Sequence, residues 1–545
     1  MLYLLLSFII LLPVFAGVGA GLKPFLGTAI EGLAGQIFTG ILGVTVTFSV
    51  IAFFFPLTVW VEIAAVAVGF FSFFYFKSYI AFKDFYRRKK PEFYSLLVSV
   101  LFFGSGYPFI LDHFGYYVPS IKWISEVGLV QGISNLDLVL GQMSFWHILQ
   151  AGFSHFSDSF MRLNAVMLAV YGIYIFEKKA WSHLLLFPVF YLFVQAPSPD
   201  LPAIVFSLVV LQEILNKNKS YGWLFAFSVF AFAIKPTLIW LPLFSFFYII
   251  STGKNIFPYM IGGALVGVLF IFKNCWTFGF PVFPVQVVDF GLGWKPHADI
   301  LQISSDVATR KTFDMHYTVA EIKNFSRLQW VNAWFTLPFP KGLINLFLIL
   351  SLLTFLVFCF LKKQKIWWLL LLALIAKTVL VLVFSAQYRF FLDVFFVLAA
   401  VLFYKKLKKS TFAILNITLS LALLVMISFP QFVQKSLPNF RIGSFMTGFS
   451  SKQMIMPAVF KLEKYRTHQI GNLSFNIVEA YYYSFDTPLP AITPYLFRKY
   501  YETGIFPQLK GKTLKDGFVW KKLSPRDRIK LEKIIRDMHL EKYGN

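Results

Sequence analysis

The stretch LINLFLILSLLTFLVFCFLKKQK, residues Leu343–Lys365, decides the fold class. Its first nineteen residues carry no charge, and Lys362, Lys363 and Lys365 follow at once. Coiled as a helix at about 1.5 Å per residue, such a run matches the roughly 30 Å hydrocarbon core of a bilayer. The same unit recurs along the chain. About fourteen apolar stretches alternate with gaps, and Lys and Arg collect in every second gap: Lys77 with Lys83 and Arg87–Lys90, Lys178–Lys179, Lys217 and Lys219, Lys254, Lys362–Lys365, and Lys405–Lys409. Short basic loops are retained in the cytoplasm. The expectation is therefore an all-α polytopic membrane protein of about 13–14 transmembrane helices.

The spans expected are roughly 2–20, 29–52, 56–76, 94–111, 161–177, 182–196, 200–215, 221–235, 237–252, 256–273, 343–361, 366–385, 389–404 and 411–429. They form a membrane domain, 1–429, with two large outer loops at about 112–160 and 274–341, and a C-terminal non-cytoplasmic region, 430–545. Several spans hold only about fifteen residues, short of the ~20 that a perpendicular crossing needs; a thinned bilayer or a cavity accommodates short spans. Helical spacing of Tyr117, Ile121 and Ile124, and of Trp146, Leu149 and Phe153, predicts amphipathic helices lying in the headgroup plane of the first loop. The Pro- and aromatic-rich run from Trp276 to Pro284 predicts a shaped loop rather than a helix. In the tail, Ser524 and Pro525 predict an N-cap and first turn, with a charged helix running to Met538.

Composition agrees with this class. Hydrophobic residues make up 58% and charged residues 14% of the 545, Phe alone supplies 69, and mean hydropathy is +0.68. A net charge of +24 belongs largely to cytoplasmic loops, where anionic headgroups attract it, so no nucleic acid is required. The tail adds nineteen Lys and Arg against nine Asp and Glu. Cys275 and Cys359 fall at opposite ends of their stretches, which excludes a disulfide framework. No Walker loop, dinucleotide fingerprint or HExxH motif occurs.

Ionisable groups at membrane depth are costly and mark functional candidates. Asp112 closes the fourth stretch on the outer side, ahead of His113, Tyr116, Tyr117, Lys122 and Trp123. A carboxylate there can accept a proton from a hydroxyl, or can simply end a helix in water. Asp200, in Pro197-Ser198-Pro199-Asp200, is a second candidate and also a natural helix N-terminal acid. Lys235, Lys273 with Asn274, and Arg389 are outward cations, suited to phosphate oxygens or to snorkelling toward headgroups. His113, His147 and His155 share the first loop without tight ligand spacing, so a divalent cation is a minor alternative and no metal ligand is assigned. Glu31, Glu62 and Lys377 interrupt apolar stretches and admit a transport pathway or plain ion pairing.

These features together resemble the GT-C superfamily of integral-membrane glycosyltransferases, and more closely a little-characterised bacterial family of GT-C-like proteins. The resemblance is carried by Asp112-His113-Phe114-Gly115-Tyr116-Tyr117, Ile121–Gly128, Gly132–Leu136, Ser198-Pro199-Asp200-Leu201-Pro202, Lys273-Asn274, Gly279–Pro284, Tyr388-Arg389-Phe390, Thr487–Pro490 and Asp516-Gly517-Phe518. It implies inverting sugar transfer from a polyprenyl-phosphate donor to an envelope glycan or protein acceptor at the outer face of a bacterial inner membrane. Asp112 would be the general base. His113, Tyr116, Tyr117, Trp123, Asp200, Lys235, Lys273, Asn274 and Arg389 would hold substrate, with membrane lipids as surroundings. Three features depart from the pattern, one being that the tail lacks the cysteines expected near Thr487–Pro490. Lys273 stands where relatives look to have Arg, and His113 follows Asp112 where an Asp-X-Asp pair would mark a metal. The rival expectations are a transporter or flippase of a lipid-linked or anionic substrate, and a membrane scaffold for an envelope complex.

Overall fold

The structure is a computed structural model that describes residues 1–87, 91–404, 408–429, 431, 435, 448–460, 464–479 and 481–540. The basic residues Arg88–Lys90 and Lys405–Lys406 therefore lie outside the described residues. The chain is mostly helical and divides into two compact units. The first comprises residues 1–202, 267–297 and 412–545; the second comprises 203–266 and 298–411.

Six helices among the described residues are long and apolar enough to cross a membrane: Leu2–Leu26, Leu33–Phe54, Phe257–Thr277, Lys341–Lys362, Lys365–Phe384 and Lys409–Ser428. The helices Val59–Tyr75 and Tyr79–Arg87, bent 70° apart, make a seventh if counted as one span. Their outer faces carry Phe71, Phe74, Leu265, Val268, Leu353, Val357, Ile417 and Leu421, all exposed. Most of the other expected spans are shorter helices, such as Leu163–Lys178, Tyr221–Ile234 and Leu392–Leu402. The stretch 182–196 differs from its expectation. It breaks into a 3₁₀ turn, Trp181–Leu186, a four-residue helix, Phe187–Phe190, and turns, because Pro188, Pro197 and Pro199 interrupt any longer ladder.

In the first unit, Leu2–Leu26 packs between Leu33–Phe54 and Val59–Tyr75. Small residues let the backbones approach: a Cβ added at Gly40 would lie 1.8 Å from the Phe15 carbonyl oxygen. Close approach of this kind substitutes for the hydrophobic drive that lipid removes. Glu62, fully buried in the first turn of its helix, accepts from the backbone N–H groups of His155 at 2.8 Å and Ser157 at 2.7 Å. Glu31 sits outside any helix, in an exposed bend before Leu33.

The first-loop helices form where expected, at Val118–Glu126 and Phe145–Ala151, but not as amphipathic surface helices. Every residue of Phe145–Ala151 is buried, His147 and Gln150 included, and the helix packs on Leu33–Phe54. The apolar stripe is covered on both sides by protein.

The tail corrects the all-α expectation. Strands β1, Tyr465–Ile470, and β2, Leu473–Val478, form an antiparallel hairpin with Ile470 opposite Leu473. Strands β3, Ile505–Leu509, and β4, Phe518–Lys522, form a second. The expected C-terminal helix is present as Pro525–Asp537, with the Ser524 hydroxyl accepting from the Asp527 N–H at 3.1 Å.

In the second unit, Lys377 and Asp393 form a buried ion pair at 2.5 Å, and the Trp240 indole N–H donates to the same carboxylate at 2.8 Å. Lys377 thus has a structural partner sixteen residues downstream.

Candidate functional site

Pro91–Gly104 ends just ahead of Gly106 and Pro108, and helix resumes at Leu111. It then widens to a π turn over His113–Tyr117, with Asp112 at its N-terminal edge. Such widened turns are energetically poor and concentrate at functional sites. Asp112, Gly115 and Tyr116 are half-buried, whereas His113 and Tyr117 are buried.

The Tyr117 hydroxyl lies 3.5 Å from the Ser198 hydroxyl, which in turn donates to the Asp200 carboxylate at 3.1 Å. Burial, followed by the charges of Tyr116, Asp112 and Asp200, holds the Tyr117 phenol far above its ordinary value. Two half-buried carboxylates, distant in sequence, therefore act on one protonated phenol. Asp200 also begins the helix Asp200–Leu215, so its macrodipole role and its site position coexist. The Pro-rich turn before it is pinned by Asn164, whose amide donates to the Phe193 and Ser198 carbonyls at 2.8 and 2.9 Å. Trp146 fixes Asn164 in turn, its indole N–H donating to the amide oxygen at 2.7 Å.

Below the tyrosines lies His147, fully buried, its ring 5.0 Å from that of Tyr117 and 5.8 Å from that of Tyr116. Desolvation lowers its pKa to about 3, and the Lys273 ammonium opposes protonation further, so the imidazole is neutral. Lys273 is itself fully buried, donates to the Gln142 carbonyl at 2.6 Å and lies over the Phe270 ring. Its neighbour Asn274 does another job: its amide donates to the Pro281 carbonyl at 2.8 Å and shapes the following loop.

The tail covers this loop. Phe485 stacks obliquely on Phe114 at 4.7 Å, and a Cβ on Gly115 would come within 3.3 Å of the Tyr483 ring. The Lys122 ammonium donates to the Asp486 and Thr487 carbonyls at 2.6 and 3.2 Å. Trp123, an expected aromatic wall for substrate, is buried edge-on against Phe518 of β4. His113, buried on the same turn, feels the charge of Arg162, whose guanidinium is tied to the carbonyls of Gly104, Phe160 and Ala458.

The remaining two expected cations belong to the second unit. Lys235 and Arg389 both address the Phe390 ring, at 5.7 and 5.1 Å, and Arg389 also donates to Gln387. Asp112, His113, Tyr116, Tyr117, Trp123, Asp200, Lys273 and Asn274 all lie in the first unit. Among the described residues, no three His, Cys, Asp or Glu side chains gather as metal ligands.

Sequence reasoning treated His147 only as one of several loop histidines. Its signal was its setting, on the polar side of a short helix with Gln150 three residues on. Ser198 stood in a quoted motif but received no role, since only the fold joins it to Tyr117.

Fold and site define a polytopic helical protein of membrane type with a polar, tail-covered site in its first unit. Residues 1–396 match the family described as a domain of unknown function, DUF8201, and the chain belongs to that family. No curated protein matches, and no solved structure matches.

Proposed function

We propose that this protein is an inverting glycosyltransferase that takes a sugar from a polyprenyl-phosphate donor at the outer face of a bacterial inner membrane. The observation that carries this reading is the pair of half-buried carboxylates, Asp112 and Asp200, which both act on Tyr117 beside its contact with Ser198. Transfer needs a base within reach of the acceptor hydroxyl. Asp112 takes the proton of the acceptor hydroxyl as that oxygen attacks the anomeric carbon. The bond from that carbon to the phosphate oxygen breaks, its electron pair leaves with the lipid phosphate, and configuration inverts. Asp200 and Ser198 orient the acceptor through Tyr117. Lys273 is the phosphate partner within the same unit. In this reading the shorter apolar helices also cross, in a locally thinned bilayer, giving the full complement of about 13–14 spans in a GT-C-like arrangement. The tail faces the periplasm and helps to select an envelope glycan or protein acceptor.

The transport alternative draws less support. Lys377 is neutralised by Asp393, Glu62 is saturated by backbone N–H groups, and Glu31 is exposed in a bend. The test is to incubate purified protein with a panel of polyprenyl-phosphate sugars and a glycan acceptor. Release of free polyprenyl phosphate is expected. Asp112→Asn should reduce it by about 10²–10⁴-fold, the usual worth of a general base, while membrane insertion stays intact. Full activity in that variant removes the proposed base.

A further inference from the structure

His147 presents a problem that packing alone does not solve. It is fully buried, yet neither ring nitrogen makes a hydrogen bond within the protein. The Pro197 carbonyl lies near enough to influence its basicity, but not in bonding geometry. An unmade buried bond costs about 1–3 kcal/mol, and here the cost falls on both edges of one ring. A hydrophobic side chain would fill the same volume against Tyr116 and Tyr117 without that penalty. The ring lies against half-buried Tyr116 and buried Tyr117, and Lys273 is near enough to act on it.

A neutral imidazole offers one donor and one acceptor on opposite sides of a rigid plane. The group that complements both at once is a hydroxyl, which itself donates and accepts. We propose that His147 is a ligand-binding residue that reads sugar hydroxyl groups of the donor, while Lys273 meets the anionic part. This assignment rests on the glycosyltransferase reading above, but it concerns recognition of the sugar rather than transfer.

Equilibrium binding separates the two. Affinity of the purified full chain is measured for polyprenyl-phosphate hexoses and for bare polyprenyl phosphate, without acceptor. The wild-type protein should prefer a sugar-bearing lipid by about tenfold or more, as one or two net hydrogen bonds provide. His147→Phe should hold bare polyprenyl phosphate as before and lose that preference. His147→Gln, which keeps a donor and an acceptor, should regain part of it. A preference that survives in His147→Phe overturns the proposal and leaves the catalytic reading standing. So does a wild-type protein that binds bare and sugar-bearing lipids equally. If His147→Phe binds neither lipid, His147→Gln decides: a recovered preference supports the proposal, and its absence overturns it. Failure of the catalytic reading appears elsewhere, as undiminished turnover in Asp112→Asn.

Discussion

Single residues carry much of this molecule's stability. Glu62 is a buried carboxylate whose partners are backbone N–H groups of residues 155–157 rather than a cation. Glu62→Ala should cost about 3 kcal/mol by stranding those donors, visible as a lower thermal midpoint in detergent. Lys377→Met should cost about 3–5 kcal/mol, because Asp393 would stay buried without its cation. The double variant Lys377→Met/Asp393→Asn should recover most of that loss in the same measurement. Asp137 adds a pH dependence. It is fully buried and accepts from the Thr493 hydroxyl of the tail, and burial raises its pKa to about 6 from an ordinary 3.8. The folded state therefore favours the protonated acid. That contribution is complete below pH 3.8 and disappears as pH rises through about 6, with a size of order 1–3 kcal/mol. Thermal unfolding at pH 5 and pH 7.5 should show it, and Asp137→Asn should flatten the difference.

At the level of elements, what could be read and what could not have separate physical causes. Apolar runs closed by Lys362–Lys365 or Lys178–Lys179 are local signals, and the helices Lys341–Lys362 and Leu163–Lys178 end beside those residues. Ser524-Pro525 is likewise local, and its helix begins as expected. Asp112, Tyr117 and Asp200 were each legible as unusual residues near the outer ends of apolar stretches, and the fold brings them around one phenol. The β1–β2 hairpin was missed despite a signal: Gly471-Asn472 is a two-residue turn with Gly471 at φ 58°, between strands of modest alternation. Its neighbours, Arg466 to Gln469, are too polar to read as a strand without the sheet partner. The burial of Phe145–Ala151 was beyond local reasoning, because its cover comes from Leu33–Phe54, about a hundred residues earlier. The Lys377–Asp393 pair was unreadable for the same reason, since it exists only once the chain folds back at Ser385–Phe391.

Across the whole molecule, the last hundred residues are part of the first unit rather than an appendage. Asn135 donates to the Phe518 and Trp294 carbonyls at 3.2 and 2.7 Å, and the Tyr500 hydroxyl donates to the Leu136 carbonyl at 2.9 Å. Gly132, at φ 61°, lets the backbone pass so near Phe518 that any Cβ would sit 2.4 Å from its carbonyl. Removing the residues after Phe429 should lower the thermal midpoint by at least several degrees, even though the apolar helices would still insert. The same deletion should make the segment 113–136 susceptible to limited proteolysis, which the intact protein resists.

The Phe114–Phe485 and Trp123–Phe518 contacts also impose an order in time. A ribosome releases Asp112 and Tyr117 hundreds of residues before the aromatic partners that seat their loop. Newly inserted chains would therefore pass through synthesis with that loop unseated, and a product halted by an early stop codon would keep it so.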